Sequence, residues 1–353
     1  MAYRFKIGEE FGDGLRRIGA EQIERAISQL ESAPTGTAVH ETRKCMKRIR
    51  ALLRLVRAGI GEGAYKRENA RFGDIGRMLS TSRDQAVIRA TADRLEADHP
   101  EQAAALRALK RAVPDPGRSG NGTAAKRLAG RAIRELRDAD RAWRELLLRG
   151  DGADSIASGL ARGLLELRDA VAGSEGGEDE AVHDWRKAVQ RHWRHMLLVR
   201  EGWPLHFEAR AAEAKQVSEI LGLAQDLTLV IARATEPGGK GLSEAQVKII
   251  GDLAERRRDA LRQMASGHCL RLVAEGPEGH ARRTMSYWNA AAGIAAVADH
   301  AAPLASAVAI AAADDGIGRG KVRRSTGSRT VRYTTSRPRA HGGRKQPRRR
   351  KDT

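Results

Sequence analysis

Cysteine, aromatic residues and long apolar runs are scarce in this chain, and each scarcity removes a class of protein. Cys45 and Cys269 are the only cysteines among 353 residues. Their spacing suggests neither a zinc site nor a disulfide framework. Phe, Trp and Tyr together are 4% of the chain. That is too few for the interleaved aromatic platform on which the bases of RNA or single-stranded DNA stack. No zinc finger or other groove-reading motif is present. Strand-forming β-branched and aromatic runs are also rare, whereas Ala, Leu, Arg and Glu are plentiful, so the composition indicates an all-α protein. The opening residues 1–14 hold no apolar core of a signal peptide. With the cysteine usage, this reads as a reduced, cytoplasmic protein. Residues 290–313 are Ala-rich and mildly apolar, but Asp299, His300 and Pro303 interrupt them, which argues against a membrane span.

Acids are nearly absent from one end. Residues 319–353 carry 14 Lys and Arg against one acid, Asp352. The formal charge of the whole chain is +19, yet the remainder has 50 basic and 44 acidic residues. A specific anion site in the folded part must therefore come from local clustering rather than from overall charge. The tail has too little apolar content for a core and reads as a disordered basic segment.

What the chain does contain is a repeat. Residues 38–59 and 181–202 align without a gap. Ala38/Ala181, Val39/Val182, His40/His183, Arg43/Arg186, Lys44/Lys187, Arg48/Arg191, Leu55/Leu198, Val56/Val199, Arg57/Arg200 and Gly59/Gly202 are shared. Internal repetition identifies the building unit of a fold. On a helix at about 100° per residue, Val39, Met46, Ile49, Leu53, Val56 and Ile60 share one side. His40, Arg43, Lys47, Arg50 and Arg54 share another, with Lys44 at its margin. Cations at this spacing repel by a few tenths of a kcal/mol per pair, and residues 42–61 contain no acid. A bound phosphate relieves that repulsion. In the second copy His183, Arg186, Lys187 and Arg194 occupy the polar face, and Gln190 stands where Lys47 stood.

Blander readings stand beside this one. A single basic helix face is usually solvated surface. His40 and His183 are also compatible with core or helix-terminal roles, and Asp84 and Asp226 with capping at helix starts. His192 and His195 share a helix face at metal-ligand spacing, but no acid or cysteine lies nearby and the first copy has Ile49 and Leu52 there. No metal or other cofactor is expected.

The pattern His40-x-x-Arg43-Lys44-x-x-Lys47-Arg48-x-Arg50 recurs as His183-Asp184-Trp185-Arg186-Lys187-x-x-Gln190-Arg191-His192-Trp193. Leu79-Ser80-x-x-Arg83-Asp84 follows the first copy. Together these resemble the CHAD family, named for a conserved histidine α-helical domain, and the opening Met1–Glu10 also looks like the start of such proteins. The resemblance covers about residues 1–270. It implies two antiparallel four-helix bundles related by a pseudo-twofold, with a basic channel between them. It further implies binding of inorganic polyphosphate and association with polyphosphate granules. The positions carried over are His40, Arg43, Lys44, Lys47, Arg48 and Arg50, then His183, Arg186, Lys187 and Arg191. Gln190 and Trp193 replace expected basic residues, so the second half is expected to grip less strongly. Some relatives carry a metal-binding Glu-x-Glu-x-Lys motif that hydrolyses phosphoanhydrides. It does not occur here, nor does a Gly-rich Lys-Ser/Thr phosphate loop, so the chain reads as a binding module and not an enzyme. Nucleic acid is the alternative partner, through the basic tail.

The expected organisation is a first helical half over 1–112, a linker over 113–122 rich in Pro, Gly and Ser, and a second half over 123–285. An Ala-rich segment of open role follows over 286–318, then the tail over 319–353. Periodicity places helices at about 14–31, 38–58, 64–80, 84–98, 100–112, 123–149, 154–172, 179–201, 206–222, 225–235 and 242–266.

Overall fold

A computed structural model describes residues 3–32, 35–79, 84–114, 122–236 and 241–314, with side chains as far as residue 298. The linker residues 115–121, Arg83 and the basic tail fall outside the described residues. The chain is all-α, with no strand among the described residues. Its helices are α1 (Phe11–Ser32), α2 (Gly36–Leu55), α3 (Arg57–Ile60), α4 (Glu62–Met78), α5 (Asp84–Asp98) and α6 (Ala103–Ala112). They continue with α7 (Gly122–Arg144), α8 (Ala153–Gly173), α9 (Asp179–Leu198), α10 (Pro204–Ala234), α11 (Glu244–Val273) and α12 (Pro277–Asp314). Among the described residues no helix is long and apolar enough to cross a membrane. The described residues up to 301 form one compact unit, and residues 302–314 fall outside it.

The two signature helices are α2 and α9. Thr35 caps α2, its hydroxyl oxygen accepting from the Ala38 amide at 3.2 Å. The apolar side of α2 is buried as the spacing requires, with Met46, Ile49, Leu53, Val56 and Ile60 all inside and Val39 half-buried.

Two apolar cores result, and they cut across the linker. One gathers α1, α2 and α4 with α7, the first halves of α8 and α10, and the end of α9. The other gathers α5 and α6 with α11 and the remaining parts of α8, α9 and α10. Thus α7, which follows the linker, belongs with the helices at the start of the chain. Trp143 is the reason. It is fully buried, meets Phe72 edge-to-face at 5.7 Å and donates its indole N–H to the Leu15 carbonyl at 3.2 Å. Conversely, Ile88, Leu95, Leu106 and Leu109 of α5 and α6 bury their apolar faces in the second core.

Three further departures from the sequence reading have local causes. α10 runs unbroken where two helices over 206–222 and 225–235 were expected. Gly222 is tolerated inside it because the Arg186 guanidinium occupies the space that a Cβ would enter, at 2.8 Å. Asp226 therefore lies within a helix and caps nothing. α7 stops at Arg144 and not near 149, and the chain turns back so that the Arg149 amide donates to the Gly59 carbonyl at 3.2 Å. Finally, the folded body does not end at 285. α12 places Ala281 and Trp288 in the first core, with Trp288 against Phe11 at 5.3 Å. Gly202 admits that helix, since a Cβ there would stand 3.2 Å from the Trp288 amide nitrogen.

Among the described glycines, the tightest approach to backbone joins α8 to the end of α2. A Cβ on Gly159 would lie 1.9 Å from the Leu55 carbonyl oxygen, and one on Gly163 would lie 2.9 Å from His195 Nδ1. Backbone cannot yield as a side-chain tip does. Gly159→Ala is therefore expected to lower stability by about 3 kcal/mol or more, whereas Gly173→Ala on the same helix, where a Cβ meets nothing within 4 Å, leaves it unchanged or raised. Denaturant melts followed by circular dichroism check the pair.

Candidate anion-binding site

The cationic stripe read on each signature helix divides into two parts with different surroundings. Near the helix starts the cations are at or close to the surface. His40, Lys44 and Lys47 of α2 are exposed and Arg43 is half-buried. Lys44 is paired with Glu41 at 2.7 Å, and this contact holds the Glu41 carboxyl below the usual range. In α9, Lys187 is paired with Asp184 at 2.7 Å, an equivalent relation one turn along. Glu41 and Asp184 occupy the same place in the repeat, one residue after each histidine. They lie just outside the acid-free stretch, and they quench part of the repulsion assigned to it.

The histidine of the second copy faces its own neighbour. His183 Nδ1 lies 3.2 Å from the Gln225 amide oxygen on α10, and Arg186 donates to the Ser218 carbonyl at 3.3 Å. Burial, reinforced by Lys187, lowers the His183 pKa.

α2 and α9 meet near their ends, where His195 donates from Nε2 to the Ala51 carbonyl at 3.1 Å. By helix rise, His40 and His183 stand about 16–18 Å back from this crossing. Around the crossing the expected cations turn three ways. Arg48 bonds Gln22 at 3.2 Å and sits 5.7 Å from the Tyr3 ring centre. Arg194 is buried beside it, stacked on Trp193 at 5.1 Å and donating to the Gln190 carbonyl at 2.6 Å. Burial draws the Arg194 pKa down to about 10. Gln190 itself is half-buried. Arg50 points to α4, donating to Asn69 at 3.0 Å. These three hold the fold.

Arg54 and Arg191 point into one cleft between α2, α8 and α9, lined by Arg54, Arg57, Arg162, Arg191, Glu166, His195, Gly159 and Gly163. Arg191 pairs with Glu166 at 2.9 Å, and Arg57 with Glu62 at 2.7 Å. Arg57 also lies over the Tyr65 ring at 4.4 Å. Burial, followed by the Arg54 charge acting against Glu166, lowers the Arg191 pKa. The interior holds about one water, 10 Å³, too little for a phosphate group. Arg57, Arg162, Glu166 and His195 were not singled out from sequence as anion-site residues. The available signal was Gly159-x-x-x-Gly163, a small-residue pair on one face of α8 that lets helices close.

The chain belongs to the CHAD family. The CHAD domain model matches residues 17–235, a span that runs from α1 through α10 and contains both signature helices and the cleft. No curated protein and no solved structure gives a significant match. The CHAD domain is a helical, polyphosphate-binding domain, generally not catalytic. No group of three or more His, Cys, Asp or Glu among the described residues is placed to hold a metal ion. His192 and His195 diverge: His192 Nε2 accepts from Arg210 at 3.0 Å, while His195 bonds Ala51.

Three buried histidines carry a stability consequence. Burial lowers the pKa of His195 and His280 to about 3 and that of His192 well below 6.5. Each is neutral when folded and takes up a proton on unfolding. Their stabilisation is therefore present above pH 6.5 and lost as pH falls from there towards 3. At pH 5 the loss is on the order of 2 kcal/mol per histidine. Thermal melts should show Tm falling steadily between pH 7.5 and 5; a flat profile would contradict the buried, neutral assignment.

Proposed function

We propose that this chain binds inorganic polyphosphate, with successive phosphates lying across the rim of the α2–α8–α9 cleft and onward along the exposed cations of α2. One observation carries the reading: Arg54, Arg57, Arg162 and Arg191 converge on a cleft in which, among the described residues, Glu166 is the one carboxylate. Arginine forks match phosphate oxygens bidentately, and partial burial strengthens each charge-assisted bond. The cleft draws cations from both copies of the repeat, as a clamp on a linear polyanion requires. His40, Arg43 and Lys47 extend the cationic surface from the cleft towards the start of α2. His183, Arg186 and Lys187 do the same on α9. The first copy, which keeps Lys47 where the second has Gln190, is the stronger side. Association with polyphosphate granules follows from such binding, and the role is binding without turnover.

Anisotropy with labelled polyphosphate tests this on the full chain. Arg54→Ala/Arg162→Ala should raise Kd at least about tenfold, the loss of one or two charge-assisted hydrogen bonds. Lys44→Ala, whose ammonium is already paired, should change Kd less than threefold. With about six phosphates contacted, log Kd should rise against log salt with a slope near 4. Displacement by duplex DNA as efficient per phosphate as by polyphosphate, with no effect of the arginine pair, would instead indicate the basic tail and a nucleic-acid partner. Burial lowers the His183 pKa, so any contribution of its imidazolium to affinity should grow as pH falls below 6.5.

A further inference from the structure

The cleft between α2, α8 and α9 already holds an anion of its own. Glu166 Oε2 lies 2.9 Å from the Arg191 guanidinium. The Glu166 side chain is 34% exposed, so it has room to turn off the cleft into water. Arg191 is more enclosed, and its buried Nε has no hydrogen-bond partner among the described residues. Arg54 and Arg162 make no ion pair or hydrogen bond among the described residues. Arg57, the fourth arginine of the cleft, holds Glu62.

The repeat shows that this place does not need a charge. Arg48 is the counterpart of Arg191 in the first copy. It too bonds a side chain on the helix before its own, and there the acceptor is the neutral Gln22 amide at 3.2 Å. Gln22 stands 26 residues before Arg48, and Glu166 stands 25 before Arg191. An amide is thus enough to orient the signature arginine. A carboxylate does more. It offers Arg191 the charged oxygens that a phosphate would offer, and it repels any anion that approaches. The interior, about 10 Å³, has no room for a phosphate beside it.

A tethered carboxylate competes at a high effective concentration. The cost of displacing it falls once on each ligand, whatever the ligand's length. For orthophosphate, with one or two contacts, that cost outweighs the gain. A chain that also engages Arg54, Arg57 and Arg162 offsets it over several phosphates. We propose, resting on the polyphosphate reading of this cleft, that Glu166 is a specificity-determining residue. It is a built-in competitor on Arg191 that keeps ortho- and pyrophosphate off the cleft and admits chains long enough to bridge several arginines.

Calorimetric titration of the full chain with orthophosphate, tripolyphosphate and long polyphosphate tests this. Glu166→Gln reproduces the Arg48–Gln22 pairing, so helicity and Tm should be kept. The variant should bind tripolyphosphate at least about tenfold tighter than wild type, the effect of removing one charged competitor. Long polyphosphate should gain by no more than the same factor, since the carboxylate is displaced once. Asp252→Asn, which removes an exposed acid paired with Lys248 on α11, should change Kd by less than about twofold because solvent and salt screen it. Should Glu166→Gln lose helicity, Glu166→Asp, which keeps the charge but draws it back from Arg191, should still tighten tripolyphosphate binding, at least about threefold. Unchanged or weaker binding in the Glu166 variants, with Arg54→Ala/Arg162→Ala still raising Kd, overturns the inference and leaves the anion site standing. If the arginine pair has no effect either, the site fails and the inference with it. Equal gains in Glu166→Gln and Asp252→Asn would reduce the effect to net charge and overturn it as well.

Discussion

The arrangement depends on one close contact between backbones, where Gly159 of α8 lies against the Leu55 carbonyl at the end of α2. No side chain fits between them. Four residues along, Gly163 leaves room for the His195 ring, which reaches the Ala51 carbonyl of α2. Two glycines and one neutral imidazole thus bring α2, α8 and α9 together. Because these helices come from both copies of the repeat, the same contact brings Arg54 and Arg191 to one cleft, with Arg57 and Arg162 beside them. Their mutual repulsion is held in place by burial elsewhere in the cores, and only Glu166 offsets it within the cleft. A site with that balance favours an anion with several charges.

The cations of this protein therefore serve two purposes, which their partners separate. Arg48, Arg50 and Arg194 bond Gln22, Asn69 and the Gln190 carbonyl, and Arg194 is buried. They join the signature helices to α1, α4 and the opening segment. Tyr3 is part of that junction, and the Phe5 amide donates to Leu198 at 2.9 Å. Lys44 and Lys187 are held by the acid three residues before each. The other cations gather at the cleft and at the exposed start of α2. Counting basic residues on a helical wheel overstates the grip; their partners decide it.

Much of this was legible in the sequence. The helical class, the boundaries of α5, those of α2 and α9 to within three residues, and the buried face of α2 follow from spacing and composition. The repeat identified both signature helices, and Arg54 and Arg191 stood among the candidates. Other features were out of reach because they depend on packing between distant segments. Trp143 reads as one apolar residue on a helix until its contact with Leu15 shows why α7 joins the first core. Arg48 and Arg191 are aligned in the repeat yet lie in different surroundings, since α1 and Tyr3 flank one and α8 flanks the other. Gly222 reads as a helix break until Arg186 is seen filling its side. Glu41 and Asp184 are aligned in the repeat, each one residue after its histidine and three before the lysine it pairs with.

The central claim is that the arginines at the α2–α8–α9 crossing form the grip on a polyanion. A crystal structure of the full chain with a short polyphosphate tests it most directly. The account predicts phosphates within hydrogen-bond distance of the Arg54, Arg162 and Arg191 guanidinium groups. Phosphates bound only elsewhere, with that rim bare, would contradict it.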